Sequence, residues 1–251
     1  MVNQTIFVCG SYDLITLIGD SILKTSYNVI FLSCDKPKKI TFKKKKIIYV
    51  ENQKKCEEII LLKSRSSDDF LISSYWPWKF TETIVSKFKQ NSVNFHPSPL
   101  PMDRGWFPHV HQIRNNEISG VTLHVIDEKL DKGKIWAQER FKLPYPLTSG
   151  EAHNILKKEI VSLFNKNWKN IYTSKLKPFA QKKGGNFHSK FSLDTPEAIS
   201  IKKGSSEDIL LRKIASRNFK SKSFIKIKID KNTEKYIHLQ FSDKGDLSNL
   251  E

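Results

Sequence analysis

"TIFVCGSYDLITLIGDSILKTSYNVIFLSCD", residues 5 to 35, decides the fold. Its first part, "TIFVCG", is a short apolar run that stops on a glycine, the pattern of a buried strand followed by a turn. Residues 13 to 26 then carry Leu14, Ile15, Ile18 and Ile22 at helical spacing. A second apolar run, "YNVIFLSCD", follows at residues 27 to 35. Strand, helix and strand within so few residues predict parallel pairing through a helical crossover.

The alternation continues outward from this unit. "CEEIILLKSRSS" (56–67) is expected as a helix, "DFLISSYW" (69–76) as a strand, "KFTETIVSKFKQ" (79–90) as a helix and "SVNFH" (92–96) as a strand. An amphipathic segment containing "HVHQIRNN" (109–116) precedes the alternating strand "GVTLHVID" (120–127). Such order argues for an open, doubly wound α/β sheet, whose ligands bind outside the carboxyl ends of the strands. A long helix over 148–175 closes this domain, with Thr148 or Ser149 near its N-cap. The paired glycines and the proline of "LKPFAQKKGGNFHSKFS" (176–192) predict a surface linker. Beyond it, a helix capped by Ser205 and a hairpin turning at "DKNTEK" (230–235) are expected. The division is therefore residues 1–178 for the main domain and 179–251 for linker and small subdomain.

The chain has 251 residues, of which 38% are hydrophobic and 11% aromatic, ample for a sizeable core. No basic segment leads into an apolar one at the start, and no apolar run reaches the roughly 18 residues of a membrane span, so a soluble cytoplasmic protein is expected. Cys9, Cys34 and Cys56 are odd in number and lack metal-ligand spacing, which reads as reduced structural thiols. The formal charge of +17 invites a nucleic-acid partner. Its lysines are spread along the whole chain, however, and the densest cluster, Lys36 to Lys46, lies between apolar runs as a loop or sheet edge would. Nucleic acid is accordingly not the expected partner.

"VNFHPSPLP" (93–101) carries the first chemical signal. Three alternate prolines push His96, Ser98 and Leu100 towards extended geometry, which restrains the segment. On a strand Asn94 and His96 project from one face, so an amide and an imidazole share a small volume. That pair suits acyl transfer, in which the amide N–H stabilises an oxyanion and the imidazole handles an amine proton. Asp131, in the loop after "GVTLHVID", is a candidate third group to orient the imidazole, although Asp-x-Gly is also ordinary turn chemistry. Ser11 and Tyr12 either contact phosphate at the first strand's turn or simply form that turn. Trp76 and Trp78 read as cofactor wall or as core aromatics. His124 reads as structural. His109 and His111, two residues apart, do not share a helix face, and no metal is expected.

"NFHPSPLPMDRGWFPHVHQI" (94–113) together with "SGVTLHVIDEKLDKGKIWAQ" (119–138) resembles the formyltransferases that use 10-formyltetrahydrofolate. The family pattern runs Asn-x-His, a Ser/Pro/Leu loop, Arg-Gly, then Gly-x-Thr-x-His and an Asp near Gly. Here these are Asn94, His96, Ser98, Leu100, Pro101, Arg104, Gly105, Gly120, Thr122, His124, Asp131 and Gly133. The resemblance implies a Rossmann-like domain with a mostly parallel sheet, plus a small C-terminal helix and β-hairpin subdomain. It implies catalysis by Asn94, His96 and Asp131, and a folate held by Trp76, Pro77, Trp78 and Asp127. Ser11, Tyr12 and Arg104 are further candidates for the acceptor. "GGNFHSKF" (184–191) resembles the segment after the core in sugar N-formyltransferases. The acceptor implied is a nucleotide-linked amino-deoxysugar, dTDP-4-amino-4,6-dideoxyglucose first, for surface polysaccharide. Methionyl-tRNA formyltransferase is the alternative, favoured by charge, though the segment after residue 178 is short for that enzyme's barrel. Edge pairing of the C-terminal hairpin predicts a homodimer.

Overall fold

A computed structural model of the chain describes residues 4–193, 197–199, 206–220, 222–228 and 234–239. The opening unit forms as β1 (Thr5–Gly10), α1 (Tyr12–Leu23) and β2 (Asn28–Ser33), with β1 and β2 parallel in register from Thr5 opposite Asn28 to Gly10 opposite Ser33. Then follow β3 (Thr41–Phe42), β4 (Lys45–Tyr49), α2 (Gln53–Lys63), β5 (Phe70–Ser74), α3 (Glu82–Phe88) and β6 (Ser92–His96). The domain continues through β7 (Arg104–Gly105), α4 (Pro108–Asn115), β8 (Ser119–His124), β9 (Ile135–Phe141) and α5 (Ser149–Tyr172).

Eight strands make one sheet in the order β3-β4-β2-β1-β5-β6-β8-β9. Pairing is parallel from β4 to β6 and antiparallel at β3, β8 and β9. The chain runs outward from β1 through β2 to β4 and then returns to place β5 on the other side of β1. This reversal lies between β1 and β5, where a crevice at the carboxyl ends of the strands is expected. Gly10 is required there, because a Cβ would run into Ser74.

Both faces of the sheet are buried, which explains the unbroken apolar strands. Alternate residues of β1 serve the two faces. Ile6 and Val8 pack in a cluster with Ile15 and Ile18 of α1 and Phe164 and Trp168 of α5, while Phe7 and Cys9 pack with Cys56 and Ile60 of α2 and Ile84 of α3. Cys9 Sγ and Cys56 Sγ lie 3.6 Å apart as buried free thiols, and burial raises the Cys9 pKa well above its ordinary value. α5 starts on a capping box in which Thr148 and Glu151 satisfy each other's backbone N–H groups.

Two further segments bear on the expectations, the first as expected and the second not. The lysine cluster closes the sheet edge as the β3–β4 hairpin, turning on Lys43 and Lys44 at φ 44° and 67°. Lys45 and Lys46 of β4 pair with the edge strand β3 and are exposed. The expected linker docks on the main domain instead. Phe179 exchanges backbone hydrogen bonds with Ile135 at 2.7 and 2.9 Å, and β10 (Phe187–His188) pairs in parallel with β7. Glycine flexibility at 184–185 therefore serves a close approach: Gly185 has φ 78°, and a Cβ on it would meet the Pro101 carbonyl.

After β11 (Glu197–Ile199), α6 (Glu207–Ser216) is N-capped at Ser206; Ser205 lies outside the described residues. β12 (Asn218–Phe219) and β13 (Lys222–Ser223) form a small antiparallel pair. β14 (Ile225–Lys228) and β15 (Glu234–Tyr236) form the expected hairpin, and β11 adds to β14 in parallel. Residues 230–233 of the expected turn lie outside the described residues. Ser149 Oγ donates to the Asn218 carbonyl, which ties this C-terminal part to α5.

Candidate active site

β6 delivers Asn94 and His96 on one face, as the period of a strand requires. The antiparallel register with β8 sets His124 opposite Asn94 and Thr122 opposite His96. Thr122 also fixes the proline-rich loop: its hydroxyl donates to the Ser98 carbonyl at 2.6 Å and accepts from the Leu100 N–H at 3.2 Å and Gln138 Nε2 at 2.9 Å. Ser98 Oγ donates to the Met102 carbonyl, and the Leu100–Pro101 peptide is cis. Asp131, at φ 53° in the β8–β9 loop, turns its buried carboxylate into the same corner.

Four side chains meet there. His124 Nδ1 lies 2.8 Å from the Val125 carbonyl, an acceptor only, so Nδ1 carries the proton. Nε2 of the neutral ring then accepts from Asn94 Nδ2 at 2.9 Å. Asp131 Oδ1 is 3.4 Å from both Asn94 Nδ2 and His124 Nε2. The three atoms form a nearly equilateral triangle, whose corner at Nδ2 is far narrower than the angle between the two N–H bonds of an amide. The Asn94 amide thus faces both acceptors while the residue also lines the cavity.

His96 Nδ1 lies 3.6 Å from Asp131 Oδ2, which also accepts the Gly105 N–H at 2.8 Å. His96 Nε2 is 2.8 Å from the Asp103 carbonyl and must donate to it. The lone pair of the neutral ring thus sits on Nδ1. Burial lowers the His96 pKa and the neighbouring His124 adds to this, against the pull of Asp131 and Asp103. Burial works against ionisation of Asp131, but the charge that His96 and His124 carry when protonated, with the Gly105 N–H, outweighs it and holds the carboxyl well below the usual range. A neutral base beside a fixed carboxylate can accept a proton and be stabilised once charged.

The corner opens on a cavity of about 1040 Å³. Part of its wall is the loop with Trp76, Pro77 and Trp78, joined by Ile126 and Asp127. Trp76 and Trp78 meet edge to face at 5.0 Å, and Trp76 Nε1 donates to Gln53 Oε1 at 2.8 Å. Gln53 is held in turn by the buried Glu57, which also accepts from Thr81 N–H and Oγ. The tryptophans thus pack partly on the core and line the cavity as well. Another part of the wall comes from Tyr75, His109 of α4, His153 of α5, and Arg217, Phe219 and Phe224 near α6. Burial pushes His109 down to about 3 and His153 to about 4.

Three expected contacts stand apart from this cavity. Ser11 caps α1 by accepting the Leu14 N–H, and the Tyr12 N–H donates to Asp35 Oδ1 at 2.7 Å, so both residues make contacts within the fold. Arg104 lies on β7 opposite Phe187 and does not line the cavity. His124, read as structural, belongs to the central cluster; only its strand register with Asn94 reveals this. His109 and His111 diverge: His109 lines the cavity, whereas His111 stacks on His188 at 3.4 Å. Among the described residues no group of His, Cys, Asp and Glu has the arrangement of a metal site.

The model of the formyl transferase family matches residues 22–166. The chain is similar to the dTDP-4-amino-4,6-dideoxyglucose formyltransferase of Mycobacterium tuberculosis, 34% identical over 85 residues, or 34% of this chain and 36% of that protein. Methionyl-tRNA formyltransferase of Clostridium tetani is 30% identical over 138 residues, 55% of this chain and 44% of that one. The matched stretches thus span between a third and a half of these curated relatives. Among solved structures, a 4-N formyltransferase from Francisella tularensis superposes with TM-score 0.81 at 22% identity, over 95% of this chain and 98% of that one, which shows a shared fold. The formyltransferase PseJ from Anoxybacillus kamchatkensis, in complex with UDP-4,6-dideoxy-4-formamido-L-AltNAc and tetrahydrofolate, superposes with TM-score 0.58 at 27% identity, over 74% of this chain and 86% of that one. With the family model covering more than half of its residues, the chain belongs to the formyl transferase family.

Proposed function

We propose that this protein transfers a formyl group from 10-formyltetrahydrofolate to the amine of a nucleotide-linked amino-deoxysugar. The observation that carries the reading is the corner where Asn94, His96, His124 and Asp131 meet on the wall of a cavity. The acceptor amine attacks the formyl carbon and a C–N bond forms. Asn94 donates an amide N–H to the oxyanion, and His96 Nδ1 takes the amine proton beside Asp131. The bond to the folate nitrogen then breaks, and that nitrogen leaves with a proton as tetrahydrofolate. In this reading Trp76, Pro77, Trp78 and Asp127 hold the folate, supported by their lining the same cavity. Relatives of this family include enzymes named for a dTDP-amino sugar and a structure holding a formamido sugar nucleotide with tetrahydrofolate.

Within this reading the acceptor is dTDP-4-amino-4,6-dideoxyglucose, supported by the Mycobacterium relative, and the product serves surface polysaccharide such as O-antigen. The enzyme acts in the cytoplasm as a homodimer joined through the open edge of β15. A tRNA acceptor is the second reading, favoured by the charge of +17 and by the longer match to methionyl-tRNA formyltransferases. That Arg217, Phe219 and Phe224 line the same cavity as the corner supports a small acceptor.

The test is incubation with 10-formyltetrahydrofolate and a panel of dTDP-4-amino and dTDP-3-amino dideoxysugars and methionyl-tRNA, read by mass spectrometry. One added formyl mass on the 4-amino sugar is expected. Formylation of the tRNA alone would overturn the choice of acceptor, and no formylation of anything would overturn the reading.

A further inference from the structure

The tail segment that docks on the catalytic loop brings a second buried polar cluster behind His96. Asn186 pairs with Asp103 twice: the Asp103 N–H donates to Asn186 Oδ1, and Asn186 Nδ2 donates to Asp103 Oδ1 at 3.1 Å. His188 Nε2 adds a second contact to Asp103 Oδ1 at 2.9 Å and must be the donor, since a carboxylate only accepts. The β7–β10 ladder fixes the register, with the Arg104 N–H on the Asn186 carbonyl and the Trp106 N–H on the His188 carbonyl. His111 stacks on His188 and holds its ring flat.

Asp103 is only 1% exposed and sits at φ 50°, a left-handed conformation that costs a non-glycine residue free energy. Its Oδ2 is buried and has no hydrogen-bond partner among the described residues, which adds a desolvation cost. Such a strained, half-satisfied carboxylate is a poor choice for a turn alone. Its backbone carbonyl, however, is the group that accepts from His96 Nε2.

We infer that Asn186 and His188, acting through Asp103, are positioning residues for His96: they keep its proton on Nε2 and leave the Nδ1 lone pair facing Asp131. The chain of contacts is short. Asn186 and His188 fix the Asp103 side chain, the side chain fixes the left-handed backbone, and the backbone aims the carbonyl. The same ladder carries Gly105, whose N–H holds Asp131 Oδ2, so one segment sets both the base and its counter-charge. The titratable groups facing His96 are Asp131, His124 and Asp103.

The inference depends on the formyl-transfer reading only for its rate measurements. The primary experiment is ¹⁵N NMR of the histidine rings in the whole protein, wild type and the variants His188→Leu, His188→Gln and Asn186→Leu. Wild type should show His96 protonated at Nε2, the leucine variants a mixture of tautomers, and His188→Gln, which retains an N–H donor, the wild-type state. With formyl donor and amino sugar, the leucine variants should lose roughly tenfold in kcat, a fraction of what a well-placed base supplies, with both KM values kept. The acid limb of their kcat profile should move to lower pH, because the protonated ring loses its hold on the Asp103 carbonyl. A His96 proton on Nδ1 in wild type, or an unchanged tautomer in the leucine variants, would overturn the inference. So would equal losses of kcat and thermal stability in His188→Leu and His188→Gln. If wild type turns nothing over, the formyl-transfer reading fails while the tautomer result still decides this one.

Discussion

At the β6–β8 corner four polar side chains hold one another by hydrogen bonds and charge, whereas on the wall formed by α4, α5 and β12 the rings of His109, His153 and Phe219 meet at 5.4 to 6.0 Å. Hydrogen bonds set direction as well as distance, so the corner has one working arrangement. Ring contacts tolerate several offsets and tilts, so the aromatic wall can adapt to the outline of a ligand. The difference suggests a division of labour in which the corner performs the reaction and the wall chooses the acceptor. Burial that keeps His109 and His153 uncharged makes that wall a shape as much as an electrostatic field.

The sharpest way to break this comparison is at Asp131. Asp131→Ala leaves His96 without its counter-charge and Asn94 without one acceptor; a loss in kcat of about 10³ or more is expected, with an unchanged circular dichroism spectrum. Asn94→Ala should cost about 10² to 10³ in kcat, the usual effect of removing one oxyanion donor, read in steady-state kinetics. On the aromatic wall, His153→Leu should act on binding: KM for the amino sugar should rise roughly tenfold while kcat stays within about twofold, the pattern of lost uniform binding. Equal effects on kcat at both places would erase the distinction.

Acidification tests the wall by another route. A histidine whose folded pKa lies at about 3 or 4 takes up its proton in the unfolded chain first, near the unfolded value of about 6.5. Stability contributed by His109 and His153 of the wall, and by His111 behind it, is therefore full above that value and declines as pH falls towards 4. Denaturant unfolding at stepped pH should show this slope, and His109→Phe should flatten it. The smallest effect is expected at Gln53, which lines the cavity and accepts the Trp76 indole N–H: Gln53→Leu should raise KM for the folate by about threefold, the scale of one neutral hydrogen bond.

Much of this architecture was readable from short-range pattern. The apolar run ending on Gly10, the helical spacing of Leu14, Ile15, Ile18 and Ile22, and the next apolar run specify β1, α1 and β2 with little need of context. Asn94 and His96 share a face by the period of any strand, and the flanking prolines mark their loop. Other features depend on distant partners. β9 ("IWAQERF") carries too many polar residues to stand out and becomes a strand because β8 offers an unpaired edge. The β3–β4 turn uses two lysines at positive φ where glycine or asparagine would have signalled it. His124 gains its place from antiparallel register, which alternation within one strand does not contain. "GGNFH" has the composition of a linker, and only the fit of Gly185 under Pro101 and of Asn186 against Asp103 makes it part of the site. Ser11 and Tyr12 show the same dependence in reverse, since Asp35, distant in sequence, accepts the Tyr12 N–H.

The measurement that tests the account most directly is single-turnover formyl transfer by His96→Asn with both substrates saturating, alongside calorimetric binding of the folate and the amino sugar. The account predicts a rate at least about 10³ below wild type with both affinities essentially kept, because His96 acts on a proton and holds neither ligand. A near-normal rate, or a rate loss explained by lost affinity, would contradict the assignment of the chemistry to this corner.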